Sequence, residues 1–130
     1  MDPEYLNDKL GECILMKDLR HPNVCKFKEC FVSRKLLCIL FDFCEKGDLS
    51  TYIKNQGKIR LSDTRIKKFL MDIILGIDYL HSNDIIHRDL KPSNIFLKGK
   101  DYTPCIGDFG EAVSTKQSSN ILEDVGSLIF

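Results

Sequence analysis

Between Asp63 and Ser82 the apolar residues Ile66, Phe69, Leu70, Ile73, Ile74, Ile77 and Leu80 recur at steps of three and four. Lys67, Lys68, Asp72 and Asp78 fall between them. That period belongs to an amphipathic helix with one stripe turned inward. A helix of this kind cannot stand alone, so the chain must supply a layer to cover the stripe. The most apolar part, Leu70 to Leu80, is interrupted by Asp72 and Asp78 and is too short to span a bilayer.

The remaining segments are shorter. A first helix is expected from Pro3 to Arg20, capped by Asp2, with Pro3 in the first helical position and Pro22 as the stop. Gly11 inside it weakens the local preference, so this helix depends on tertiary packing. Two strands follow, Cys25–Val32 and Leu36–Asp42, joined by a hairpin turn at Ser33-Arg34-Lys35. The second strand is almost continuously apolar, which predicts burial on both faces. Asp48 is placed to cap a short helix ending near Asn55. Beyond the long helix, Ile95–Leu97 and Pro104–Ile106 read as strands around the turn Lys98-Gly99-Lys100-Asp101. From Glu111 to Asn120 the polar composition predicts a mobile loop. Leu128-Ile129-Phe130 is an apolar terminus, which reads as a chain cut before its next packed element.

The 130 residues suffice for one domain, and 43% hydrophobic with 29% charged composition excludes wholesale disorder. Lys+Arg and Asp+Glu both number 19, so no electrostatic footprint for nucleic acid exists. No basic amino-terminal region precedes an apolar run, and the expectation is an unsecreted protein without a membrane partner. Cysteines at 13, 25, 30, 38, 44 and 105 form no C-x-x-C pair; His21 near Cys25 is too sparse for zinc. They read as reduced, small core residues of a cytoplasmic protein.

The chemistry is concentrated between Ile86 and Gly110. His87-Arg88-Asp89 follows the long helix, Lys91 and Asn94 come next, and Asp108-Phe109-Gly110 follows the second hairpin. If that hairpin folds back, two carboxylates, an amide and an ammonium converge. Asn94 and Asp108 are oxygen donors of the kind Mg²⁺ shares with substrate phosphates. Lys91 is a point charge for a phosphoryl group in transfer, and Asp89 remains to accept or orient a hydroxyl proton. Each residue alone is an ordinary solvated loop position; together they match H-R-D-L-x-x-x-N and D-F-G in order, a combination chance does not supply.

His87-Arg88-Asp89-Leu90-Lys91-Pro92-Ser93-Asn94 and Gly107-Asp108-Phe109-Gly110 resemble the catalytic and metal-binding loops of eukaryotic protein kinases. Lys91-Pro92 is similar to the serine/threonine branch. Asn94-Ile95-Phe96-Leu97, the glycine before Asp108, and Cys44-Glu45-Lys46-Gly47-Asp48-Leu49 resemble the NIMA-related kinases. The resemblance implies a truncated α+β kinase-like fold. Residues 1–44 would be a small-lobe remnant with helix C, a β-hairpin and the hinge; residues 45–130 would be the large-lobe portion ending in the activation segment. It implies ATP and Mg²⁺ as cofactors and a protein with Ser or Thr as substrate, with room for a regulatory protein partner. It also allows a cytoskeletal or nuclear location within the cell.

By the same resemblance Asp89 would be the catalytic base or the residue that orients the hydroxyl, Lys91 the phosphoryl stabiliser, and Asn94 and Asp108 the metal ligands. Phe41 would be the gatekeeper, Asp42, Phe43 and Cys44 the hinge against adenine, Asp48 the ribose partner and Phe96 the adenine floor. Glu12, at helical spacing from Leu15, Met16 and Leu19, would be the helix-C glutamate that pairs with a lysine on strand three. Phe109 would pack against His87 and Met16, and Arg88 would pair with a phosphorylated residue after Gly110. No glycine-rich loop or strand-three lysine precedes Glu12, and Gly126-Ser127-Leu128 is not followed by A-P-E. The chain alone is therefore expected to be a weak or inactive enzyme. The alternative is a noncatalytic kinase-derived fragment that binds a partner.

Overall fold

The computed structural model describes residues 2–116. The elements are α1 (Pro3–Met16), β1 (Phe27–Ser33), β2 (Leu36–Phe41), α2 (Leu49–Asn55), α3 (Asp63–Ser82), β3 (Ile85–Ile86), a 3₁₀ turn (Pro92–Asn94), β4 (Ile95–Lys98), β5 (Thr103–Ile106) and β6 (Val113–Ser114). Helices and three small antiparallel sheets, β1–β2, β3–β6 and β4–β5, make an α+β fold.

At the start of α1 the Asp2 carboxylate accepts the Glu4 N–H at 3.0 Å, with Pro3 in the first turn. The helix ends at Met16 instead of Arg20. The Arg20 guanidinium donates to the carbonyls of Lys17 at 3.0 Å and Leu19 at 2.8 Å, and the Arg20 N–H reaches the Tyr79 hydroxyl at 2.7 Å. These bonds serve backbone groups that further helix would have used internally. Leu10, Cys13 and Met16 form the buried face of α1.

The β1–β2 hairpin turns on Arg34 and Lys35 alone, at φ 49° and 65°, while Ser33 pairs with Leu36 inside the ladder. Two successive left-handed residues are what a type I′ hairpin requires. The apolar run of β2 is not buried on both faces. Leu36 is 67% exposed, Leu40 37% and Phe41 36%. Among the described residues β2 pairs only with β1, so its outer side has no layer over it. An apolar run records that cover is needed and is silent on where the cover comes from.

Ser62 and Asp48 cap α3 and α2 through the N–H groups of Arg65 at 3.2 Å and Thr51 at 2.9 Å. The α3 stripe is narrower than its periodicity predicts. Phe69, Gly76 and Leu80 are buried, but Leu70 and Ile74 are exposed. At 100° per residue those two lie roughly 100° and 140° round the helix from the buried line. The line is drawn by Gly76, where a Cβ would stand 2.7 Å from the Asn23 carbonyl oxygen and 2.9 Å from Ile106 Cδ1. This close approach seats α3 on β5.

The first half of the chain is tied to β5 by backbone. Ile106 N–H donates to the Asn23 carbonyl, and Cys25 N–H to the Ile106 carbonyl, both at 2.8 Å. Buried Asn23 also donates to the Pro104 carbonyl at 2.9 Å. A core cluster containing Met16, Val24, Phe27, Leu97, Ile106 and Phe109 runs through this junction.

As far as Lys116, the stretch after Glu111 is more ordered than its composition predicts. Val113–Ser114 pairs with Ile85–Ile86, and Thr115 donates to the Asp84 carbonyl through its N–H at 2.7 Å and its Oγ1 at 3.2 Å. Ser118, Ser119, Asn120, Gly126-Ser127-Leu128 and the apolar terminus lie outside the described residues. All six cysteines are free; Cys13, Cys25, Cys30 and Cys105 are buried, Cys38 and Cys44 half-buried. Burial first, then neighbouring Cys30, pushes the Cys13 thiol up to about 12, so it packs as a neutral apolar group. Among the described residues no helix is long and apolar enough to cross a membrane.

Candidate active site

Beyond β3 the chain turns sharply, with Arg88 at φ 68°. Such a residue costs about 1–3 kcal/mol and persists only where neighbours over-determine it. Three bonds do so. Arg88 Nε donates to the Glu111 carbonyl at 2.6 Å, the Asp89 N–H donates to His87 Nδ1 at 3.1 Å, and His87 Nε2 lies 2.7 Å from the Gly107 carbonyl. Since the Asp89 N–H can only donate, Nδ1 accepts, and the ring proton sits on Nε2 facing Gly107. His87 is buried and meets Phe109 edge-to-face at 5.1 Å.

The 3₁₀ turn then folds Asn94 back onto Asp89. Asn94 Nδ2 donates to the Asp89 carbonyl at 2.9 Å and to its Oδ2 at 3.0 Å, and Lys91 Nζ lies 3.5 Å from the same Oδ2. Asp89, Lys91 and Asn94 are thus gathered in one cluster. Gly107 N–H donates to the Asn94 carbonyl at 2.9 Å, which joins this cluster to Asp108. Asp108 sits at φ 53°, exposed, with Oδ1 accepting the Gly110 N–H at 3.3 Å. Phe109 and Met16, each 1% exposed, belong to the same core cluster.

With its amide nitrogen turned to Asp89, Asn94 has its Oδ1 left as an oxygen donor, and Asp108 has its Oδ2. Among the described residues no group of three or more His, Cys, Asp or Glu is placed to hold a metal ion. Two oxygen donors without a full cage suit Mg²⁺, which keeps waters and borrows substrate phosphate oxygens.

A cavity of about 640 Å³ opens between the hairpin and these loops. Cys25, Phe41, Asp42, Phe43, Cys44, Gly47, Asp48 and Phe96 line it, together with Glu12, Gly107 and Asp108. The size is that of a small-molecule site. All four expected adenosine-site residues, Asp42, Cys44, Asp48 and Phe96, stand in its wall. A Cβ on Gly107 would stand 2.7 Å from the Phe96 ring, so the glycine lets that ring approach the backbone closely. Hydrogen bonds from the Thr51 N–H and hydroxyl hold the Asp48 carboxyl below its ordinary range. His87, Arg88, Asp89, Lys91 and Asn94 are not in the wall; they join it through the Asn94–Gly107 bond.

Among the described residues Glu12 is paired within its own helix. Its carboxylate, with a side chain 10% exposed, meets Lys9 Nζ at 3.3 Å, one helical turn earlier on α1. Sequence reasoning missed Lys9 as the partner of Glu12, although the i, i+3 spacing was readable. It also missed Cys25 in the wall, for which only the fold is informative.

The protein kinase domain family matches residues 2–130. The chain is 33% identical over 132 residues to serine/threonine-protein kinase ATG1a of Arabidopsis thaliana, covering 100% of this chain and 21% of that protein. It is 40% identical over 113 residues to cell division control protein 7 of Schizosaccharomyces pombe, covering 87% and 10%. It is 38% identical over 102 residues to serine/threonine-protein kinase Nek3 of Mus musculus, covering 78% and 20%. Other Nek kinases are similar to it at 33% to 42% identity. The chain thus spans between a tenth and about a fifth of these curated relatives' length.

Proposed function

The chain belongs to the protein kinase family, and we propose that its cavity binds ATP with Mg²⁺ and that the protein transfers the γ-phosphoryl group to a serine or threonine hydroxyl of a protein substrate. One observation carries this reading: one cavity joins an apolar, hinge-like wall to Asp108, and Gly107, the residue before Asp108, is hydrogen-bonded to Asn94 in the cluster with Asp89 and Lys91. Residues 1–44 act as the small-lobe part and 45–130 as the large-lobe part, with Phe41 to Cys44 between them.

In this reading adenine lies over Phe96 against the backbone of Asp42 to Cys44, and Asp48 takes the ribose. Asn94 and Asp108 would hold Mg²⁺, which when bound would neutralise charge on the phosphates. Asp89, oriented by the Asn94 amide, accepts or aligns the substrate hydroxyl proton, and Lys91 at its side stabilises the phosphoryl group. Arg88 Nε is committed to Glu111, so a phosphate in the following segment would use the terminal guanidinium nitrogens. A regulatory protein partner would act through that same segment. Free, mostly buried thiols support a cytoplasmic setting, with cytoskeleton or nucleus also open to it. The noncatalytic alternative is the weaker reading, because it leaves the hydrogen-bonded Asp89–Asn94–Gly107 connection without a purpose.

The test is a titration with fluorescent ATP, with and without Mg²⁺, on the wild-type chain and Asp108→Ala. The substitution deletes an oxygen donor and leaves the apolar wall intact. Mg²⁺ should strengthen binding to the wild type and not to the variant. Equal metal dependence in both would sink the assignment of Asp108.

A further inference from the structure

Two of the free thiols, Cys25 and Cys44, line the cavity. The backbone brings them there together. The Asp42 N–H donates to the Lys26 carbonyl at 2.9 Å, which clips the hinge-like segment to the residues just before β1. Cys25 Sγ lies 3.7 Å from the Cys105 carbonyl, and a Cβ on Gly107 would stand 3.0 Å from the same sulfur. Cys44 Sγ lies 3.9 Å from the Asp42 carbonyl, back along its own segment.

The thiols act on one another. Burial first, then neighbouring Cys44 and Cys105, pushes the Cys25 thiol well above its ordinary value. Burial likewise pushes the Cys105 thiol up to about 11, with Cys44 again among the neighbours that raise it. Cys44 therefore adjoins both. The Lys98 ammonium works the other way at Cys25 and Cys105 and favours a thiolate there.

A buried cysteine is ordinarily an inert, small apolar residue. That account suits Cys13 and Cys30, which adjoin each other inside the core cluster. It suits Cys105 as well, which is 0% exposed, does not line the cavity, and has its sulfur 3.2 Å from the Pro22 carbonyl. Cys44 differs, being half-buried and in the wall with a second thiol of the wall beside it. Resting on the nucleotide-site reading above, we propose that Cys25 and Cys44 are a redox pair: a hydroperoxide entering the cavity joins them as a disulfide, and that bond closes the adenine end to nucleotide. The hydroperoxide transfers one oxygen to the Cys44 sulfur, giving a sulfenic acid and an alcohol, or water from hydrogen peroxide. The Cys25 sulfur then attacks the Cys44 sulfur and expels hydroxide, which leaves as water with the Cys25 proton. Two electrons pass in all from the two sulfurs to the broken O–O bond. Covalent linkage draws residue 44 toward residue 25, across the wall that faces adenine.

The test treats the 130-residue chain with hydrogen peroxide, alkylates the remaining thiols and maps linked peptides by mass spectrometry. Titration with fluorescent ATP compares each protein before peroxide, after it, and after dithiothreitol. The wild type should give a Cys25–Cys44 link and lose at least about tenfold in ATP affinity, recovered with dithiothreitol. Cys105→Ala should form the same link. Cys25→Ala should form none and leave a Cys44 sulfenic acid that dimedone traps. In Cys44→Ala peroxide should change ATP affinity by less than about twofold. Free thiols throughout, or a link from Cys44 to Cys105, would overturn the proposal. So would a Cys25–Cys44 link that leaves ATP affinity unchanged, or a loss that dithiothreitol does not reverse. A reduced wild type that binds no ATP would overturn the nucleotide reading and its redox closure; the linked peptide, read without ATP, would still show whether the two thiols pair.

Discussion

Asn94→Ala separates the structural work of this residue from its proposed metal role. Asn94 is 5% exposed, and its amide nitrogen makes two bonds to Asp89, one to a carbonyl at 2.9 Å and one to a carboxylate oxygen at 3.0 Å. A hydrogen bond to a charged group is worth about 1.5–3 kcal/mol and a neutral one about 0.5–1.5. The variant should therefore lose about 2–4 kcal/mol of stability, or at least ~8 °C in melting temperature at ~4 °C per kcal/mol. Asn94→Asp keeps the oxygen donor but sets a second carboxylate against Asp89 Oδ2. At 3.0 Å the Coulomb ceiling is about 5 kcal/mol for an effective dielectric of 20. Asp89 is 34% exposed at its side chain, and screening brings that to about 1–2 kcal/mol on top of the lost amide bonds. Thermal melting with and without Mg²⁺ and ATP reads both effects. Without ligand, Asn94→Asp should melt below Asn94→Ala. With Mg²⁺–ATP, the aspartate variant should recover several degrees and the alanine variant should not. Equal response to Mg²⁺–ATP in the two would refute Asn94 as a metal ligand, and an undiminished melting temperature in Asn94→Ala would refute the hydrogen-bond arithmetic.

Gly76→Ala gains about 1 kcal/mol of helix propensity but drives a methyl to 2.7 Å from a backbone oxygen. Overpacking of about 1–3 kcal/mol should win, because the Asn23 carbonyl is held by its bond to Ile106; a raised urea midpoint would show that α3 stands off β5. Asp48 caps α2 with its carboxyl held below the ordinary value by the Thr51 N–H and hydroxyl. A depressed carboxyl contributes stability above its unfolded pKa of about 3.8 and loses it as pH falls through the lower folded value. Helicity of the wild type should therefore fall over that acid window, and Asp48→Ala should remove this part of the acid response; an identical acid profile in the variant would refute the cap.

How much was legible in the residues depended on whether the signal was local. The caps at Asp2, Asp48 and Ser62 satisfy N–H groups two or three positions away, so helix starts could be read directly. The loop chemistry was legible for a related reason: His87, Asp89, Lys91 and Asn94 bond one another within a few residues, while the 2.7 Å contact of His87 and the 2.9 Å bond of the Asn94 carbonyl both reach across the chain to Gly107. What failed was burial. Leu70 and Ile74 obey the helical period as well as Ile73 does, yet the line of close approach is set by Gly76 meeting Asn23, a residue more than fifty positions earlier. Likewise, Leu36, Leu40 and Phe41 read as core, because an apolar strand looks the same whether a layer lies over it or not. The Glu12 contact within the described residues is local as well. The family pattern directed attention to a distant lysine, while elementary helix geometry already put Lys9 one turn away. A buried carboxylate is satisfied by whichever cation reaches it, and sequence distance within a helix is the shortest route.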